Sequence, residues 1–157
     1  MKKNLNRSLF FISLIYKKNY LGFNVIEVVA AIIFIEDKIL CLKRGYSKYD
    51  YVSFKYEFPG GKVKNDESYI DALNREIKEE LSIDIIIQKK YKIITHNYPD
   101  FSIKLHSYIC ITEDFNGKLY EHTDYKLLKI NDLKSLNWLE ADIPLIDDLI
   151  IEYGNKL

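Results

Sequence analysis

The sequence predicts an α/β domain, and three stretches carry that expectation. Residues 25–35 (VIEVVAAIIFI) are β-branched and nearly continuous, the composition of a central strand buried on both faces. Ile70, Leu73, Ile77 and Leu81 recur at i, i+3, i+7 and i+11, one apolar stripe of an amphipathic helix. Residues 84–96 and 103–113 then return to strand character, joined by the turn material Asn97, Tyr98, Pro99 and Asp100.

The remaining elements follow in order. Glu36 and Asp37 interrupt the first strand, and residues 38–42 resume it, so the pair reads as a hairpin with Lys43 and Arg44 at its end. Residues 45–56 are polar and aromatic without a period and read as a loop. Pro59, Gly60 and Gly61 form a turn that lets backbone pass close to a ligand. Asp66 or Ser68 can cap the helix that follows. Asn116 and Gly117 mark another turn, ahead of a strand at 125–130 and a short helix at 132–136. Pro144 opens a last helix, with Ile146, Leu149 and Ile150 facing inward.

With 157 residues the chain is long enough for one domain with a real core. Lys plus Arg and Asp plus Glu number 23 each, so there is no global basic field to hold nucleic acid nonspecifically. Cys41 and Cys110 each sit in an apolar run, without the neighbours of a zinc site, and read as buried free thiols in a reducing cytoplasm. Residues 1–24 begin basic and hold a short apolar run at 9–16 that ends in Lys17 and Lys18. That run lacks a small-residue cleavage site and falls short of the roughly 20 residues that span a bilayer. The expectation is an N-terminal extension (1–24) outside a core domain at 25–157, or a start placed upstream of the true one. No stable membrane association is expected.

The chemistry concentrates in residues 57–83 (EFPGGKVKNDESYIDALNREIKEELSI). On a helix, Glu76 lies three and four residues from Glu79 and Glu80, so the three carboxylates share one surface. The apolar stripe faces elsewhere. Carboxylates this close repel unless cations sit among them, and oxygen ligands suit hard cations such as Mg2+ or Mn2+. Arg75 is four residues from Glu79 and can orient a carboxylate. The plain alternative is a solvated acidic helix face. The longer spacing argues against it: Gly61, five residues, Glu67, seven residues, then Arg-Glu-Ile-Lys-Glu-Glu-Leu-Ser-Ile, in a strand, turn, helix, strand context.

This stretch resembles the Nudix box, G-x5-E-x7-R-E-U-x-E-E-x-G-U with U aliphatic, at every position but one: Ser82 stands where the box has its second glycine. EFPGGKV resembles the lead-in of MutT-type members, and the likeness to the MutT and CTP-pyrophosphohydrolase branch extends from about Val25 to Ile150. The resemblance implies an α/β/α sandwich with a mixed central sheet. It also implies Mg2+-dependent hydrolysis (Mn2+ being possible) of a nucleoside diphosphate linked to a further group. For this branch the expected substrates are nucleoside triphosphates, either a modified dNTP such as 8-oxo-dGTP or a CTP-like nucleotide, and the products nucleoside monophosphate and pyrophosphate. Glu76, Glu79, Glu80, the Gly61 carbonyl and Glu121 are its implied metal ligands, with Glu121 also a candidate water-activating base. Glu67 and Arg75 would hold loop and helix together. Arg44 is implied as a phosphate contact, Phe58, Gly60 and Lys62 as further substrate contacts, and Asp142 as a contact to the base.

The expected partner is thus a small-molecule nucleotide, with no nucleic acid, for a monomer or homodimer. Two other readings stand beside this one. A nucleotide-sensing module without activity would usually lack one of the box glutamates, and all are present here. A pyrophosphohydrolase of nucleotide sugars, dinucleotides or capped RNA finds nothing beyond the core to suggest it. His96 and His106 read as strand residues with ordinary hydrogen bonds, and His122 as a possible contact to phosphate or to Glu121. Trp138, Tyr46, Tyr49 and Tyr51 are either packing residues or stacking partners for a base.

Overall fold

β1 (Val25–Ile35) is the spine of a seven-stranded mixed sheet. The computed structural model describes residues 25–155; the extension expected at 1–24 lies outside the described residues. Alternation along β1 sends Val29, Ala31, Ile33 and Ile35 into one buried cluster and Ala30 and Ile32 into a second. The strand is therefore buried on both faces, which is why its sequence shows no polar alternation. Val25, at its start, is exposed.

β2 (Lys38–Arg44) turns back on β1 at the Phe34–Ile39 pair, then diverges to lie between β3 (Tyr56–Glu57) and β7 (His122–Lys129). The place it leaves beside β1 is taken by β4 (Gly60–Lys62), paired with Val28 to Ala30. On the other side β6 (Ser102–Ile111) runs parallel to β1, and β5 (Ile86–Asn97) closes that edge antiparallel to β6. α1 (Tyr69–Leu81) covers one face through Ala72, Leu73, Ile77 and Leu81. α2 (Ile143–Tyr153) covers the other through Leu145, Ile146 and Leu149, together with Leu133 and Trp138. Each of these large aliphatic side chains contributes about 1.5–3 kcal/mol by leaving water. The result is the expected α/β/α sandwich.

Several expectations shift. β4 lies where glycine content suggested only a turn. The strand expected at 125–130 begins at His122, and the helix at 132–136 is a 3-10 segment, Ile130–Ser135. Pro144 is the second residue of α2, and Leu145 joins its inner face. Ile70 is exposed, contrary to its place in the apolar stripe. It lies in the first turn of α1, where the inward contact is made instead by Tyr69 stacked on His106, ring centroids 4.0 Å apart. Ser68 is the N-cap: its hydroxyl accepts the Asp71 N–H at 3.1 Å. Cys41 and Cys110 are free and belong to clusters on opposite faces of the sheet. Burial pushes both thiols up to about 12.

Ser82 ends α1 in the left-handed conformation, φ 54° and ψ 29°, with its N–H on the Lys78 carbonyl. That is the geometry a glycine holds without strain. Ser82→Gly is expected to raise stability by about 1 kcal/mol, seen as a higher thermal midpoint. Turnover should stay nearly unchanged, because Ser82 does not line the cavity described next.

Candidate active site

The turn before α1 is built for close approach. Gly60 has φ 150°, and a β-carbon there would lie 2.1 Å from the Val29 carbonyl oxygen. At Gly61 a β-carbon would lie 2.4 Å from Cδ of Glu76. The missing side chain at Gly61 is thus the space the Glu76 carboxylate occupies.

Arg75 is the hub that ties turn to helix. Its Nε and Nη2 donate to the two oxygens of Glu67, at 2.6 and 2.9 Å. Nη2 also donates to the Lys62 carbonyl, and Nη1 to Glu76 at 2.7 Å and Glu79 at 3.1 Å. Glu67 further accepts the Lys64 N–H. The Arg75 bond, with Lys64 next, holds the Glu67 carboxyl down at about 2. The Arg75 guanidinium is held above its ordinary value, chiefly by Glu67.

Glu80 differs from its neighbours. It is 5% exposed and accepts the Gly60 N–H at 3.2 Å. Burial, then the charges of Glu57, Glu121 and Glu76, push its carboxyl up to about 9. Glu121 comes to it from the segment before β7, and helix-end chemistry explains how. The last carbonyls of α1 have no partner within the helix. The Glu80 carbonyl takes the Tyr120 N–H and the Leu81 carbonyl takes the Lys118 N–H. That docking sets Glu121 beside the carboxylates.

Near Glu80, Arg44 Nη1 donates to both oxygens of Glu57 at 2.8 Å, and His122 Nε2 lies 2.8 Å from one of them. Burial disfavours the Arg44 charge, but Glu57 more than offsets it, and the guanidinium is raised. Arg44 Nε is buried without a hydrogen-bond partner among the described residues. Asp142, at the start of α2, is 4% exposed, and burial and the Glu57 charge raise its carboxyl well above the usual range.

These parts line one cavity of about 870 Å³, within the roughly 300–1,000 Å³ of small-molecule sites. Arg44, Phe58, Gly60, Gly61, Lys62, Arg75, Glu76, Glu79, Glu80, Glu121 and Asp142 all lie on its wall. Phe58 is 3% exposed and packs on Trp138, so it meets the cavity from the core. Trp138 and Tyr46 do not line it: Trp138 Nε1 bonds the Leu133 carbonyl, and Tyr46 is exposed. Tyr49 does line it. Sequence reasoning passed over Glu57, Tyr98 and Phe101, which also line it. Glu57 was signalled by its place in the motif's lead-in. Tyr98 and Phe101 gave no signal beyond that of a turn. His122 turns to Glu57 and His106 to Glu27, while His96 lies 3.3 Å from Glu140.

The NUDIX domain family matches residues 26–149. The chain belongs to that family. It is a Nudix hydrolase, acting on phosphoanhydride bonds. It is 35% identical over 125 residues to the CTP pyrophosphohydrolase of Escherichia coli (strain K12), covering 78% of this chain and 90% of that protein. It is 32% identical, also over 125 residues, to the 8-oxo-dGTP diphosphatase of Buchnera aphidicola subsp. Schizaphis graminum (strain Sg), covering 78% and 92%. A solution structure of a MutT protein of the Nudix hydrolase family from methicillin-resistant Staphylococcus aureus 252 superposes with TM-score 0.67 at 39% identity, over 83% of this chain and 99% of that one. The mixed α/β architecture is the one these structures share. No helix among the described residues is long and apolar enough to cross a membrane.

The donor set suits a hard divalent cation. It is all oxygen, it includes a carboxyl that burial and three anionic neighbours leave uncompensated, and Gly61 keeps room beside Glu76. Among the described residues no three acidic, histidine or cysteine side chains converge into a ready ligand set. Arg75 holds Glu76 and Glu79 in this structure.

Proposed function

We propose that this Nudix hydrolase cleaves nucleoside triphosphates, a modified dNTP of the 8-oxo-dGTP kind or a CTP-like nucleotide, to nucleoside monophosphate and pyrophosphate with Mg2+. The observation that carries this reading is a single cavity lined both by the carboxylates with Arg44 and by the rings of Tyr49, Tyr98 and Phe101 with Asp142. The charged groups suit a polyphosphate with its cation, and the rings suit a base. The substrates named for the bacterial relatives point the same way.

Glu76, Glu79, Glu80, Glu121 and the Gly61 carbonyl would hold Mg2+, or Mn2+ in its place. Bound there, the cation offsets the charge of the polyphosphate and lowers the pKa of a coordinated water. The chain's own groups do the rest. Arg44, fixed in place through its Nη1 bonds to Glu57, lines the cavity and would present its guanidinium charge to a phosphate oxygen. Glu121, on the cavity wall near Glu80, would take a proton from the attacking water as it adds in line to phosphorus and the phosphoanhydride bond opposite it breaks. Arg75 keeps helix and turn in register through Glu67. Asp142 lines the cavity, and its burial favours the neutral carboxyl, which would donate a hydrogen bond to an acceptor on the base edge.

A panel of natural and oxidised nucleoside triphosphates with Mg2+, scored for pyrophosphate release, tests the reading. Release from 8-oxo-dGTP or CTP well above the other nucleotides is the expected result. No hydrolysis of any triphosphate overturns it.

A further inference from the structure

The geometry points to Tyr51 as a positioning residue for the aromatic wall of the site, against which the base is proposed to bind. It does not line the cavity, but clasps the two loops that do. The inference rests on the nucleotide reading above. One loop, residues 45–55, follows β2; the other, 97–101, joins β5 to β6. Two strands, β1 and β6, separate β2 from β5 in the sheet, so the two loops come from strands that are not neighbours.

The first loop is locked internally by Ser53. Its hydroxyl donates to the Ser47 and Tyr49 carbonyls and accepts the Ser47 N–H. The second is closed by the Tyr98 N–H on the Phe101 carbonyl at 2.8 Å. Between them, among the described residues, runs one hydrogen bond: Tyr51 Oη to Asp100 Oδ2, 2.7 Å. Around it the rings interleave. Tyr51 stacks between Tyr49 and Tyr98, at 5.4 and 5.6 Å, and Phe101 packs on Tyr49 and Tyr98 at 5.6 and 5.0 Å. The hydroxyl of Tyr98 in turn accepts the Ala141 N–H at 3.3 Å, one residue from Asp142. The Tyr51–Asp100 bond therefore sets three things together: the Tyr49 and Phe101 walls, the Tyr98 ring, and the backbone that carries Asp142. Breaking it loosens this aromatic wall and leaves the Arg75 network in place, since neither residue bonds to Arg75 or the box glutamates.

Tyr51→Phe and Asp100→Asn, singly and together in the full chain, test the clasp. Tyr51→Phe keeps the stacked ring and removes only the donor. Each single variant should raise KM for the best triphosphate of the panel about threefold to tenfold, with kcat within about twofold. The double variant should be no worse than the poorer single one, because both remove the same bond. KM for ribose triphosphate, which has no base, should not change. The clasp is overturned by an unchanged KM in Tyr51→Phe, by an equal rise for the base-free substrate, or by a fall in kcat alone. If the wild type hydrolyses no triphosphate, the functional reading fails by itself. Calorimetric Kd values for 8-oxo-dGTP and CTP then decide the clasp: weaker binding to Tyr51→Phe supports it, and unchanged binding overturns it.

Discussion

Glu80→Gln should lower kcat by roughly a thousandfold, about 4 kcal/mol of barrier, while making the metal-free protein more stable at alkaline pH. The two effects have one origin. Glu80 is buried beside Glu57, Glu121 and Glu76, and its carboxyl is pushed up to about 9. Unfolded, the same group titrates near 4.3. Between those values the folded protein holds a proton that the unfolded chain releases. Stability therefore falls as pH rises through that window, and the loss is complete only above the folded value. Glutamine carries no proton and removes that slope. Its amide can still accept the Gly60 N–H that Glu80 Oε2 accepts.

The gain from Glu80→Gln should be small near pH 5 and reach about 1–2 kcal/mol at pH 8, allowing for relaxation around a buried charge. Thermal melts of chelated wild type and variant at the two pH values measure it. A difference that does not change with pH would show that Glu80 does not titrate in this range. Adding Mg2+ should then raise the wild-type melting point at pH 8 more than that of the variant, since a ligand stabilises the state that binds it. The variant should retain nucleotide binding, which separates loss of chemistry from loss of the site.

How much of this was legible in the sequence depended on distance along the chain. Arg75 and the carboxylates Glu76, Glu79 and Glu80 lie on one helix, whose geometry alone orients them, so their spacing was enough. β1 was legible because both its faces are buried. Glu57 was signalled by its position but not in its role, because its partners arrive through pairings no local pattern encodes: Arg44 from β2, and His122 from β7 across a register shift at Lys43 and Arg44. Tyr98 and Phe101 belong to a turn whose composition reads as connection. Only the meeting of two loops across the sheet makes them a wall. Ile70 misled because angular position on a helix does not say where along its length the helix meets the sheet. The first turn of α1 gives its inward contact to Tyr69, which sits on His106.

The two glycines of the turn should fail in opposite ways when given a methyl group. At Gly60 the obstacle is backbone. The φ of 150° is one that side-chain-bearing residues rarely adopt, and the new β-carbon would lie 2.1 Å from the carbonyl of Val29, in the middle of the central strand. Neither can yield without breaking the β1–β4 pairing. Gly60→Ala should cost about 3 kcal/mol or more, seen as a lower denaturant midpoint with or without metal. At Gly61 φ is ordinary and the obstacle is the end of a side chain, the Glu76 carboxylate at 2.4 Å. That carboxylate can swing aside, at the expense of its bond to Arg75. Gly61→Ala should keep stability within about 1 kcal/mol of wild type and lower kcat/KM about a hundredfold through displacement of Glu76. Full activity in Gly61→Ala would mean that Glu76 does its work from another position. Full stability in Gly60→Ala would mean that β4 is not pinned to β1 where the structure places it. The contrast separates the part of the turn that belongs to the sheet from the part that belongs to the chemistry, one residue apart.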